Sequence, residues 1–148
     1  MQRPNTPAQL AITFFYYRDL AAAIAFYQDV MGLTLAIDQG WCKIYEICPG
    51  AHVGLVDEAK GMNKWTAVKP VQLCIRVADA DAWFAYAKDR AFENLSGLFE
   101  NDALGIRAFV FTDPEGYQIE IKRRRERVHD QVIDHYKSKF FHDGDAWD

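Results

Sequence analysis

Apolar and polar positions along the chain follow two periods, and each change of period marks an element. Over residues 11–17, Ile12, Phe14 and Tyr16 fall on one side and Thr13, Phe15 and Tyr17 on the other, the two-residue period of a strand. Leu20, Ala23, Ile24, Tyr27 and Met31 then recur at helical spacing, behind Asp19 as a cap and ahead of Gly32 as a stop. Residues 33–37, 41–47 and 52–56 read as three further strands, parted by Asp38-Gln39-Gly40 and by Pro49-Gly50. After a polar, loop-like stretch over 57–70 the same order begins again. A strand over 71–77 leads to Asp79 as a cap and to Ala80, Trp83, Phe84, Ala87 and Ala91 as a helical stripe. A weak strand around 92–98, a loop over 100–105 and two strands flanking Asp113-Pro114-Glu115-Gly116 complete it.

That last turn has a mechanism. Pro114 presets φ for its position, Asp113 can bond its own backbone, and Gly116 accepts a positive φ. Beyond it Tyr117, Ile119 and Ile121 alternate with Gln118, Glu120 and Lys122, which sets Glu120 on the face opposite the apolar one. Such a carboxylate points either into solvent or into a polar cavity.

The two halves are two copies of one β-α-β-β-β plan, over about residues 11–56 and 71–123. At an offset of 60, Asp19 falls on Asp79, Ala22 on Ala82 and Phe26 on Tyr86; at 66, Gly50 falls on Gly116 and Val53 on Ile119. Residues 1–10 read as a leader. From residue 124 to 148 a separate piece carries Val128, Val132, Tyr136 and Phe140 every four residues, a narrow apolar stripe on an otherwise charged helix. The fold class is α+β.

Composition narrows the partners. A net charge of −4 argues against nucleic acid, whose phosphates require a basic surface. No apolar stretch approaches a membrane span and the first residues lack an apolar signal segment, so no membrane partner and a cytoplasmic location are expected. The three cysteines, Cys42, Cys48 and Cys74, show no C-x-x-C spacing and read as small apolar residues inside strands.

Asp19-Leu20, Phe26-Tyr27, Gly32 and the run from Asp113 to Glu120 resemble the vicinal oxygen chelate superfamily, which holds glyoxalase I, extradiol dioxygenases and fosfomycin- and bleomycin-resistance proteins. The resemblance covers about residues 11–123 and is specific for fold rather than reaction. It implies that each module curls a mixed sheet into a half-barrel, that the two enclose a cavity, and that chains pair as homodimers. The stripe on the C-terminal helix would then lie at or near the dimer interface, or fold back on its own domain.

In metal-using members the ligands come from the first and last strands of each module, which carries the positions over to Ile12, Gly54, Gln72 and Glu120. Ile12 and Gly54 have no donor side chain. Two oxygen ligands are too few for a tight transition-metal site, which takes three or more protein ligands. The expectation is therefore no metal ligand and no cofactor. The alternative is a divalent metal through Glu120, Gln72 and His52, the last displaced two residues along its strand.

Strand phase gives a metal-free lining. Ile12, Phe14, Tyr16, His52 and Val56 come from the first module, and Gln72, Cys74, Arg76, Gln118, Glu120 and Lys122 from the second. Flat aromatic area with a few convergent polar groups is the make-up of a small-molecule pocket. Ligand contacts are assigned to Phe14, Tyr16, His52, Gln72, Arg76 and Gln118, and any catalysis to Glu120. An internal ion pair of Arg76 with Glu120 and no ligand is the plainer reading of those two. Two function classes stay open: a bleomycin-resistance-like protein that binds a small organic molecule, and an enzyme. The enzyme would be a metal-dependent lyase or dioxygenase of the glyoxalase kind, or a metal-free isomerase with Glu120 as base.

Overall fold

A computed structural model describes residues 1–124; the C-terminal helix expected beyond them lies outside the described residues. The order is β1 (Ala11–Tyr17), α1 (Leu20–Ile24), β2 (Thr34–Asp38), β3 (Cys42–Cys48), β4 (Ala51–Asp57), β5 (Gln72–Arg76), α2 (Ala80–Asp89), β6 (Phe99–Asn101), β7 (Ile106–Thr112) and β8 (Gln118–Arg124). Two four-stranded sheets result, β1-β4-β3-β2 and β5-β8-β7-β6, so each module sets its first strand beside its last. This is the expected pair of β-α-β-β-β units. By compactness the described residues divide into two units, residues 1–73 with 112–119, and residues 74–111 with 120–124.

In the first unit β1 runs parallel to β4, and β4 antiparallel to β3. Alternation along β1 has the expected consequence. Phe15 and Tyr17 are buried, as are Val53 and Leu55 of β4, and α1 packs against β4. Ile12, Phe14 and Tyr16 face the other way. Asp19 caps α1, its carboxylate accepting from the Ala22 amide at 3.1 Å. From Ala25 to Val30 the helix widens into a π-helical segment, a change of pitch that apolar spacing does not reveal. Ala23, Tyr27 and Met31 still reach the core, and Gly32 leaves it at φ 72°.

In the second unit Asp79 caps α2 in the same way, on the Ala82 amide at 3.0 Å. Ala80 and Ala87 are fully buried, and the Phe84 ring meets Phe109 of β7 at 5.2 Å. Two sequence expectations need correction here. Ala91 lies past the helix end, exposed, with φ 51°. The strand expected around 92–98 is instead β6, at Phe99–Asn101, pairing Phe99 with Ala108. Left-handed backbone at Ala91 and Asn94 breaks the extended run before it, and Ser96 then exchanges hydrogen bonds with Val110. Among the described residues no helix is long and apolar enough to cross a membrane.

Candidate functional site

The Asp113-Pro114-Glu115-Gly116 turn proves to be an anchor for the first strand. Its backbone closes as expected: the Gly116 amide donates to the Asp113 carbonyl at 3.2 Å, with Gly116 at φ 93°. Asp113 is the only buried carboxylate among the described residues. Its Oδ1 accepts from the amides of Glu115 and Tyr117 at 3.0 and 2.9 Å. Oδ2 accepts from the hydroxyls of Tyr17 and Tyr27 at 2.6 and 2.9 Å. Burial, with the neighbouring ionisable groups adding to it, pushes both phenols well above their ordinary range, so they stay protonated donors.

Glu115 extends the anchor, its two carboxylate oxygens accepting from the amides of Arg18 and Asp19 at 3.0 Å each. Tyr117 stacks on Phe15 at 4.1 Å, and its hydroxyl accepts from the Tyr16 amide at 2.8 Å. Asp113, Glu115 and Tyr117 thus each reach β1 or the residues just after it. Sequence reading recognised the turn and missed these partners. Tyr17 and Tyr27 had looked like ordinary apolar strand and helix positions.

The face of the first sheet opposite α1 carries three of the expected ligand residues, Phe14, Tyr16 and His52. Strand register places Ile12 beside His52, Phe14 beside Gly54 and Tyr16 beside Val56. From β3, Ile44 lies opposite Gly54 and Glu46 opposite His52. Glu46 therefore shares this face, because a register shift between Glu46 and Cys48 sets it opposite His52; a plain count back through the Pro49-Gly50 turn would set it opposite Val53. His52 Nε2 is 3.8 Å from Glu46 Oε2; the imidazole side chain is only 9% exposed, the carboxylate 48%. His52 Nδ1 is buried without a hydrogen-bond partner among the described residues. Cys42, Ile44 and Val56 form a small core on this side, with Ile12 and Tyr16 packed against it. Gly61, from the connector between the modules, closes on Tyr16 and Val56 at one end.

Between those ends lies Phe14, 44% exposed. Its ring occupies the space a side chain at position 54 would take: a Cβ built on Gly54 would lie 2.4 Å from Phe14 Cδ1 and 2.7 Å from Cε1. Ile12 and Gly54 offer no donor atoms, and among the described residues no three His, Cys, Asp or Glu side chains converge. These residues do not fit the metal that the superfamily fold implies.

On β5 and β8 the polar residues project from the side opposite the buried Ile119 and Ile121. In the first unit the Gln72 side-chain amide donates to Gln118 at 2.7 Å. In the second, Glu120 Oε1 accepts a long hydrogen bond from the Cys74 thiol at 3.8 Å and lies 3.5 Å from Lys122 Nζ. Glu120 thus has an ion pair within its own strand. Arg76, the partner suggested for Glu120 by the sequence, is an exposed residue of β5 with an interaction of its own.

Two cysteines also differ from expectation. Cys42 is buried, but Cys48 and Cys74 are exposed, the first beside a register shift in β3 and the second on the polar face of β5. Burial raises the Cys42 thiol above its usual range, whereas the other two are open to reagent. A disulfide reagent added to native protein should modify two thiols quickly and the third only on unfolding. Modification of all three at one rate would contradict the burial of Cys42.

Two duplicated β-α-β-β-β sheets, with an Asp-Pro-Glu-Gly turn closing the second, define the class. Residues 9–121 match the model of the Glyoxalase/Bleomycin resistance protein/Dioxygenase superfamily, and the chain belongs to it. Among solved structures it is similar to a lactoylglutathione lyase from Agrobacterium tumefaciens (22% identity, 79% of this chain and 94% of that one, TM-score 0.63). It is also similar to a glyoxalase/dioxygenase from Nostoc punctiforme (16%, 84% and 97%, TM-score 0.66). A third is TnmS3, an antibiotic binding protein from Streptomyces sp. CB03234 (22%, 84% and 100%, TM-score 0.63). No curated protein matches the chain in sequence.

Proposed function

We propose that this chain binds a small organic molecule, without a metal at the superfamily's ligand positions. Phe14, Tyr16, His52, Gln72, Arg76 and Gln118 are its ligand contacts in this reading. The observation that carries it is the Phe14 ring, held out on the face opposite the helix while its neighbour Phe15 is buried. A position that would hold a metal ligand is here given to an aromatic surface. An antibiotic binding protein shares this fold, as does a lactoylglutathione lyase at the same identity, so the choice of the binding class rests on the Phe14 ring. In solution the protein is expected to be a homodimer, which sedimentation at micromolar concentration checks.

The test is a thermal-shift screen of planar organic molecules on protein purified without chelator, together with metal analysis. A ligand at 100 times its Kd contributes about 2.7 kcal/mol, which raises the midpoint of a chain this size by roughly 5–10 °C. Stoichiometric nickel, zinc or iron that disappears in Glu120→Gln would overturn the metal-free reading. Glu120, between a thiol and an ammonium group, is the base of the second reading, an isomerase. Turnover of a bound ligand that is lost in Glu120→Gln would favour that reading.

A further inference from the structure

Phe14 and Gly54 form a platform. Only a residue without a Cβ lets the ring lie against the β4 backbone, since any larger residue would put an atom within 2.4 Å of Cδ1. One face of the ring is backed by the strand, and the residue remains 44% exposed. A ring held in this way loses little freedom when a second ring stacks on it.

Two residues along the same strand face, roughly 6–7 Å away at strand rise, stands the His52–Glu46 pair. Glu46 is accessible, an ionised carboxylate is purely an acceptor, and His52 Nε2 lies 3.8 Å from it. The buried Nδ1 of His52, without a partner among the described residues, is a second mark of an unsatisfied polar group. A buried nitrogen without a partner is costly, and native folds hold few.

We infer that this face is a subsite for a planar aromatic molecule with a hydroxyl or amino donor about one ring-width from the stack. Phe14 supplies the stacking surface and Glu46 accepts the donor, with the His52 imidazole 3.8 Å from its carboxylate. The inference rests on the binding reading above and narrows it to a ligand chemistry.

The probe is 2-naphthol, compared by calorimetry with 2-methoxynaphthalene, which has no donor, and decahydro-2-naphthol, which has no aromatic face. The unmodified protein should prefer 2-naphthol to both. Stacking of this kind is worth up to about tenfold in affinity. Phe14→Leu should therefore weaken 2-naphthol binding by about 3- to 10-fold and leave decahydro-2-naphthol unchanged. Gly54→Ala should show the same loss by lifting the ring, and adding it to Phe14→Leu should cost nothing more. Glu46→Gln should reduce the preference for 2-naphthol over its methyl ether.

Equal affinity for all three probes, or loss in Gly54→Ala that adds fully to that in Phe14→Leu, overturns the subsite while leaving small-molecule binding intact. If none of the three binds at millimolar concentration but other molecules shift the midpoint, the subsite alone again falls. If nothing in the wider screen binds either, the binding reading falls with it.

Discussion

Replacing Asp113 by Asn should lower the thermal midpoint by about 5–15 °C. The carboxylate accepts four hydrogen bonds in a buried setting, two from phenols and two from backbone amides. Asn retains the shape but offers one acceptor oxygen, so either the phenols or the amides face an NH2 group. Hydrogen bonds to a charged group are each worth about 1.5–3 kcal/mol, and a buried donor left unpaired costs about as much. A net loss of about 2–4 kcal/mol follows after partial rearrangement, at about 2–4 °C per kcal/mol for a domain of this size. Tyr17→Phe and Tyr27→Phe should each cost less and couple to Asp113→Asn in a double-mutant cycle. A midpoint for Asp113→Asn within about 2 °C of the unmodified protein would show that the turn is not an anchor.

On β8, the strand phase should divide the effects of neighbouring substitutions. Ile121 is fully buried, and Ile121→Ala should cost about 2–5 kcal/mol, the range for truncating a core aliphatic side chain. Glu120, the preceding residue, lies on the opposite face beside Lys122, with its side chain 17% exposed. Glu120→Gln should move the midpoint by less than about 2 °C, because a partly solvated ion pair contributes little. Denaturation by urea separates the two, with the midpoint falling for Ile121→Ala and holding for Glu120→Gln. The reverse order would mean that β8 is turned over relative to its sheet.

The sequence made strand phase and helix caps legible because both are local. Two-residue alternation fixes which side of a strand is apolar, and Asp19 and Asp79 bond amides three residues on. The turn at Asp113 was legible for the same reason. What remained hidden depends on partners far along the chain. Nothing near Tyr17 or Tyr27 indicates that their hydroxyls meet one carboxylate, and nothing near Phe14 indicates that its ring lies over Gly54. On the face opposite α1, the shared side of Ile12, Phe14 and Tyr16 could be read from alternation, but the placing of Glu46 beside His52 needed the register of β3 on β4. The π-helical segment at 25–30 escaped because Ala23, Tyr27 and Met31 point inward under either pitch.

The anchor also sets an order on how the chain can mature during synthesis. Tyr17 finds its carboxylate 96 residues later, Arg18 its acceptor 97 residues later, and the Tyr16 amide its phenol 101 residues later. Contacts this distant are slow to form, since loop closure must precede any gain from them. A ribosome adds about 5–20 residues per second, so the β1–α1 corner waits several seconds with its tyrosine hydroxyls unpaired. Until Tyr117 emerges, Phe15 of β1 has no ring to stack on and the Tyr16 amide no phenol to bond.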